Sequence, residues 1–355
     1  MAYKALRFLA GPTASEILTR DGFDLDHFQV MAGASGGPKW LALSRLDRVI
    51  CGEMLPARKN PLFLLGSSIG AWRFSCYAKE NPLAAIEIFE DAYVEQRYAK
   101  KPTPEEVSRE TRRFFKLIAG VGGESQMLGN SRVRLSVMTV RCRGAAALEH
   151  PWLQGLGLIA AAAGNLFSRK ALSVSYERVL FFDPRDEPPF GKLAGMPMQR
   201  VALSEENLED AVVASGSIPL VLTGVPDIAG APAGMYRDGG VVDYHFSDPL
   251  SQGSGLVLYP HFYPYMVPGW FDKSLAWRRA RGAATDKVLL ISPSQDFVSR
   301  LPFGKIPDRR DFERLDNDER IKYWRKVVAE SERMADELRS VLEHGAIPER
   351  LERLA

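Results

Sequence analysis

The sequence predicts an α/β fold: a mostly parallel central sheet flanked by helices, followed by a C-terminal helical extension. Two observations lead to that expectation. Short apolar runs rich in branched or aromatic residues alternate with longer stretches of helical periodicity, as in chains whose strands are buried on both faces and joined by crossover helices. Two of the runs also end in glycine-rich turns that lead straight into helical patterns, at Gly33-Ala34-Ser35-Gly36-Gly37-Pro38-Lys39 and at Gly66-Ser67-Ser68-Ile69-Gly70. With 46% hydrophobic and 25% charged residues, the chain can bury a sizeable core and is not a disordered sequence.

Strands are expected at residues 28–32, 62–65, 134–140, 178–182, 256–260 and 288–292. Between the first two, residues 38–49 carry Leu41, Leu43, Leu46 and Val49 with Arg45, Asp47 and Arg48 interposed, which reads as a helix with one buried face and Pro38 in its first turn. Further helices are expected over 69–79, 83–98 and 104–119. Residues 152–167 admit a lipid-contacting or a packed helix, and their alanines favour a buried one. Residues 312–343 contain no Gly or Pro, are densely charged, and repeat Ile321, Trp324, Val328, Met334, Leu338 and Leu342 at three- to four-residue steps. That pattern fits one or two amphipathic helices better than a coiled coil, because the spacing drifts from a strict heptad. The expected organisation is a main domain over residues 1–311 and a docked helical extension over 312–355.

Composition narrows the function classes. The formal charge is +2, and Lys and Arg are interleaved with Asp and Glu, so the basic stripe of a nucleic-acid binder is absent. Cys51, Cys76 and Cys142 are odd in number and far apart, which favours buried free thiols over a disulfide framework or a zinc site. After Lys4 and Arg7 the apolar run is broken by Gly11, Pro12 and Thr13, so no secretion signal is legible. Gln154, Gly155, Gly157, Gly164 and Asn165 interrupt residues 151–168, which fall short of the roughly 20 apolar residues that span a bilayer. A soluble, cytoplasmic protein is expected, with peripheral membrane contact allowed. Oligomeric state is not legible.

Three constellations carry chemistry. The apolar run 62–65 enters Gly66-Ser67-Ser68-Ile69-Gly70, the strand, sharp turn and helix that a nucleophile elbow needs, with the Ser68 hydroxyl projecting from the strand end. The turn after residues 28–32 frees backbone N–H groups to converge on one spot, and Gly36 and Gly37 are the candidate oxyanion donors. A phosphate cradle there would need Gly-Lys-Ser or Gly-Lys-Thr, and a dinucleotide fingerprint would need glycine spacings that are absent. The third is Tyr236-Arg237-Asp238-Gly239-Gly240, which by itself also reads as a tight turn whose carboxylate binds its own backbone.

Taken together, these motifs resemble the patatin-like phospholipase family, which includes the catalytic domain of cytosolic phospholipase A2. The resemblance covers residues 28–249 and includes Ala214-Ser215-Gly216-Ser217-Ile218-Pro219, similar to the family's Ala-Ser-x-x-x-Pro segment before its aspartate. The chain departs from the family at the oxyanion turn, where Ser35 precedes two glycines, Pro38 follows them and Trp40 replaces a further glycine. Lys39 falls where the family carries Arg or Lys.

The resemblance implies a three-layer α/β/α fold and a Ser68–Asp238 dyad, in which Asp238 takes the serine proton as an ester carbonyl is attacked and an acyl-Ser68 intermediate is then hydrolysed. Lipid esters are the implied substrates: phospholipid, lysophospholipid or glyceride, with small esters also open. Ser35, Lys39 and His245 are candidate substrate contacts, Lys39 through a positive field for a phosphate head group. No cofactor is expected, and no cluster of oxygen ligands suggests a metal. Two alternatives stand beside this reading. One is an α/β-hydrolase-type esterase triad of Ser68, Asp183 or Asp238, and His245 or His261. The other is a catalytically silent binding protein of the same fold. The aromatic residues 258–271 fit either an acyl pocket or lipid contact on one hand, or packing over the sheet edge on the other.

Overall fold

The computed structural model describes residues 4–98, 102–190 and 193–354. Within them one sheet contains β1 (Leu6–Ala10), β2 (Phe28–Gly33), β3 (Leu62–Ser67), β4 (Val133–Cys142), β5 (Tyr176–Phe182), β6 (Met198–Ala202), β7 (Val225–Pro226), β8 (Met235–Asp238), β9 (Leu256–Pro260), β10 (Val288–Pro293) and β11 (Leu351–Arg353). The order across it is β11-β1-β10-β9-β2-β3-β4-β5-β6, with β8 paired to β4 and β7 to β8. From β10 to β4 every pairing is parallel, whereas β1 and β5 join antiparallel. The fold is the expected α/β arrangement with a largely parallel centre and C-terminal helices.

The central strands are apolar on both faces because helices cover both faces. The helix Ile69–Tyr77 is buried along its whole length. On that helix Arg73 makes a two-pronged bond to Asp47, at 2.8 and 2.5 Å, and Tyr77 Oη donates to the same carboxylate, so the buried charges neutralise one another. All three cysteines are free and buried. Among the described residues no helix is long and apolar enough to cross a membrane.

Several expectations shift. The helix read at 38–49 begins as a 3-10 segment, Gly37–Leu43, and becomes α-helical only over Ser44–Val49. The one read at 83–98 is Pro82–Val94. Strands β6 and β11 were not legible because they are exposed edge strands, Met-Gln-Arg-Val-Ala and Leu-Glu-Arg, without an apolar alternation. The C-terminal residues are more than a docked extension. Trp324, Val327, Met334 and Leu338, on the helices Asn317–Glu330 and Glu332–Glu343, belong to the same buried core as the sheet, and β11 pairs in parallel with β1. The boundary at 311/312 therefore separates no independent core.

The helix Pro151–Phe167 corrects the expectation that its alanines bury it. Most of its large apolar side chains point outward, and the residues it buries are Gln154, Gly157, Ala161 and Asn165. The aromatic residues 258–271 divide their roles: Leu258, Tyr259 and Pro260 end β9, Phe262 is buried, and Tyr263 and Trp270 reach the cavity described next.

Candidate active site

Two strands meet head-on along β4. Strand β3 runs parallel to β4 and ends with Ser67 opposite Met138; β8 runs antiparallel to β4 and ends with Asp238 opposite Thr139. Ser68, the residue after β3, therefore faces Asp238, and its Oγ donates to Asp238 Oδ2 at 2.7 Å. Ser68 adopts φ 54° and ψ −128°, a conformation that costs a non-glycine residue about 1–3 kcal/mol. The surroundings hold it there. Its N–H donates to Ser215 Oγ at 2.8 Å, Ser215 Oγ donates to the Met138 carbonyl at 2.7 Å, and the Asp238 N–H donates to the Ser217 carbonyl. The Ala214–Pro219 segment thus ties the elbow and the aspartate to one strand. Behind Ser68 begins the helix Ile69–Tyr77, whose N-terminal N–H groups favour negative charge at the serine.

Asp238 is almost fully buried, and that burial pushes its carboxyl up to about 6. The bond from Ser68, the bond from the Gly240 N–H to Oδ1 at 2.7 Å, and the fields of Arg309 and Lys273 pull it back down. The group is ionised at neutral pH yet more basic than an ordinary aspartate.

Gly36 and Gly37 line the same cavity as Ser68. Gly37 has φ +55°, the left-handed region open to glycine, and among the described residues neither N–H meets an acceptor. Ser35 also borders the cavity, but its hydroxyl donates to Ser67 Oγ at 3.0 Å and its N–H to the Tyr244 carbonyl, so it braces the oxyanion turn against the elbow.

His245 does not take the substrate-facing position expected of it. It is fully buried outside the cavity, its Nδ1 accepts the Val267 N–H at 2.9 Å, and burial lowers its basicity far below the usual histidine range. His261 is buried beside it and lowered to about 3 by the same cause. Neither histidine bonds Ser68 or Asp238. Asp183 lies toward the start of β4, its N–H on the Leu135 carbonyl and its carboxylate on Arg185. The three-membered alternative is therefore not assembled.

The cavity over the dyad measures about 1190 Å³. It opens at the carboxyl ends of β3 and β8, the end of a parallel sheet where ligands bind. Its wall is largely apolar, with Trp72, Phe89, Phe114, Ile218 and Leu222, and residues 308–317 of the C-terminal segment close one side. Another depression, about 630 Å³, lies at the amino ends of β2, β3 and β9, away from the dyad.

Of the cations that line the cavity, which also include Arg310, Arg314 and Arg320, three act on one another's charge: Lys39, Lys273 and Arg309. Among the described residues none lies within ion-pair distance of a carboxylate; nearby Asp308 pairs with Lys305. They rest instead on ring faces, Lys39 over Phe262, Lys273 4.0 Å from the Tyr244 centroid, and Arg309 5.5 Å from that of Trp270. Burial first, then Arg309 and Lys305, lower Lys39 to about 8, with Asp308 opposing them. Lys273 shifts in the same direction, but its side chain is open to solvent, which favours the charged form. Sequence reasoning found Lys39 and missed the other two. Lys273 and Arg309 stand in no motif, and loops remote in sequence bring them to the dyad. No family model, curated protein or solved structure matches this chain.

Proposed function

We propose that this chain is a serine acyl hydrolase of the patatin-like kind, cleaving carboxylic esters of lipids with Ser68 as nucleophile and Asp238 as general base. The observation that carries the reading is the 2.7 Å bond from Ser68 Oγ to a buried carboxylate at the floor of an apolar cavity. As Oγ attacks the ester carbonyl, its proton passes to Asp238 Oδ2. The new oxyanion faces the Gly36 and Gly37 N–H groups, a contribution of roughly 3–4 kcal/mol for each well-placed donor. Asp238 returns the proton to the departing alkoxide. Water then attacks acyl-Ser68, gives its proton to Asp238, and releases the carboxylic acid as Ser68 regains its hydrogen.

The apolar wall suits an acyl chain, and the three unpaired cations suit an anionic group on the substrate. Lys273→Ala and Arg309→Ala should each raise KM for a phosphate-bearing ester about tenfold. KM for a neutral ester of equal chain length should stay within about twofold. Equal losses on both esters, measured by steady-state kinetics, would argue that these side chains hold the cavity wall instead.

The raised carboxyl sets the pH dependence. Asp238 must be ionised to accept the serine proton, so kcat/KM should be level above about pH 6 and fall about tenfold per pH unit below it. A rate that stays level down to pH 4 would exclude Asp238 as the base.

The reading is tested by treating the protein with a fluorophosphonate probe and sequencing the labelled peptide, alongside turnover of esters ranging from short-chain nitrophenyl esters to phospholipid vesicles. Label on Ser68 with turnover of at least one ester supports it. No turnover together with an unlabelled Ser68 sinks it and leaves a non-catalytic binding protein.

A further inference from the structure

The helix Pro151–Phe167 has 17 residues, no charged side chain, and inverted polarity. Gln154, Gly157, Ala161 and Asn165 face the protein, while Trp152, Leu156, Ile159 and Phe167 face outward, with Trp152 80%, Ile159 68% and Phe167 91% exposed. The inward amides are committed. Gln154 Nε2 donates to the Leu148 carbonyl and Oε1 accepts the Leu220 N–H at 2.6 Å, and Asn165 Nδ2 donates to Asp272 at 2.7 Å. Turning the helix to bury its apolar row would strand these groups, each at the cost of an unsatisfied buried amide.

We infer that this outward row docks the protein on an anionic lipid surface, with the cavity mouth against the lipid. Apolar exposure on the helix and on a linked segment at the cavity mouth argues for a lipid occupant. Leu220, tied to the helix through Gln154, and Val221 beside it are both exposed and also line the cavity above Ser68. Exposed apolar side chains therefore stand both on the helix and at the mouth, with Gln154 holding the two segments together. A lipid lying there could feed an acyl chain inward, whereas a folded partner would close the opening.

Charge points the same way. Residues 151–170 include Arg169 and Lys170 and no carboxylate. The segment 273–281 meets the helix end through Arg278, which donates to the Leu166 carbonyl at 3.0 Å. It carries four cations, no carboxylate, and an exposed Trp277. Nearby Asp272 is taken up by Arg169 and Arg278, and Glu149 by Arg237, so an apolar row with tryptophan at either end keeps an excess of positive charge beside it, which complements an anionic headgroup layer. The inference rests on the hydrolase reading only for the fate of the lipid; the docking itself is independent of chemistry.

The test uses the full chain with Ser68→Ala, so that binding is read without hydrolysis, in flotation assays with phosphatidylcholine vesicles and with vesicles that also contain phosphatidylglycerol. The parent should float with the mixed vesicles, more weakly with the neutral ones, and lose affinity as salt is raised. Trp152→Ser/Ile159→Ser/Phe167→Ser should weaken flotation by at least about tenfold. In the chain with native Ser68, the same substitutions should leave turnover of a water-soluble short ester unchanged. Trp152→Phe, a milder change, should reduce quenching of tryptophan fluorescence by brominated lipid. A parent that stays in solution with both vesicles overturns the proposal. So does light scattering that shows a stable dimer dissolved by the triple substitution, since the row would then be a self-association face. If the wild type hydrolyses no ester but still floats, the hydrolase reading fails and the docking surface stands.

Discussion

Asp238→Asn is expected to lower ester turnover by about three to four orders of magnitude and, at the same time, to make the protein more stable at neutral pH. The first effect follows from the proposed chemistry. Asn keeps the size of the side chain and can hold the Gly240 N–H through its oxygen, but it cannot take the Ser68 proton. Ser68→Ala should lose at least as much activity, because no acyl-enzyme can form. His245→Ala, with folding checked by circular dichroism, should retain turnover because His245 touches neither partner of the dyad. An Asp238→Asn enzyme within about tenfold of wild type, or a folded His245→Ala enzyme without activity, would remove the dyad from consideration.

The second effect follows from linkage. Burial raises the folded-state carboxyl to about 6 from its ordinary 3.8. Between these values the folded chain holds more protons than the unfolded one. Stability from this group is therefore fully retained below about pH 4 and lost as pH rises toward 6. Above that pH the ionised carboxylate costs roughly 2–3 kcal/mol. Asp238→Asn should relieve the cost at pH 8 and give no gain at pH 4, as read from urea unfolding at the two pH values. An equal change at both would mean that the substitution acts through packing. Loss of activity with gain of stability is the signature of a charge kept buried for chemistry rather than for folding.

Gly70→Ala should be the most damaging single-methyl change in the site. An added Cβ would lie 2.1 Å from the Gly33 carbonyl oxygen, a backbone atom at the end of β2 that cannot rotate away. Alanine in the helix would gain about 1 kcal/mol in propensity. Displacing a packed parallel strand should cost more, at least about 3 kcal/mol. The displacement has a direction, since it separates the elbow from the turn carrying Gly36 and Gly37. Any folded fraction should also lose about a hundredfold in turnover, because shifts of about 1 Å carry that penalty. Thermal melts and single-turnover rates measure the two losses separately. A variant as stable and active as wild type would show that the two turns are not in rigid contact.

Much of this was legible in local sequence. The strand-turn-helix pattern at Ser68, the glycine turn at 36–37 and the Asp-Gly-Gly of 238–240 each depend on neighbours within a few residues, where glycine freedom and apolar periodicity act directly. The parallel core was legible for the same reason, since strands buried on both faces must be apolar throughout. Three features were not, and each depends on residues far apart in the chain. The sequence alone did not show that β3 and β8 would end against each other on β4, which decides that Ser68 meets Asp238 and not a histidine. It did not show that Lys273 and Arg309 would join Lys39, because a cation's role in a cavity depends on which loops close over it. It also misassigned the helix Pro151–Phe167. Alanine and leucine content sets how apolar a helix is, but the hydrogen bonds of Gln154 to Leu148 and Leu220, and of Asn165 to Asp272, set which face turns inward. Local propensities determined the elements and the candidate chemistry; strand order and buried polar pairing, which only the folded chain has, decided what faces what.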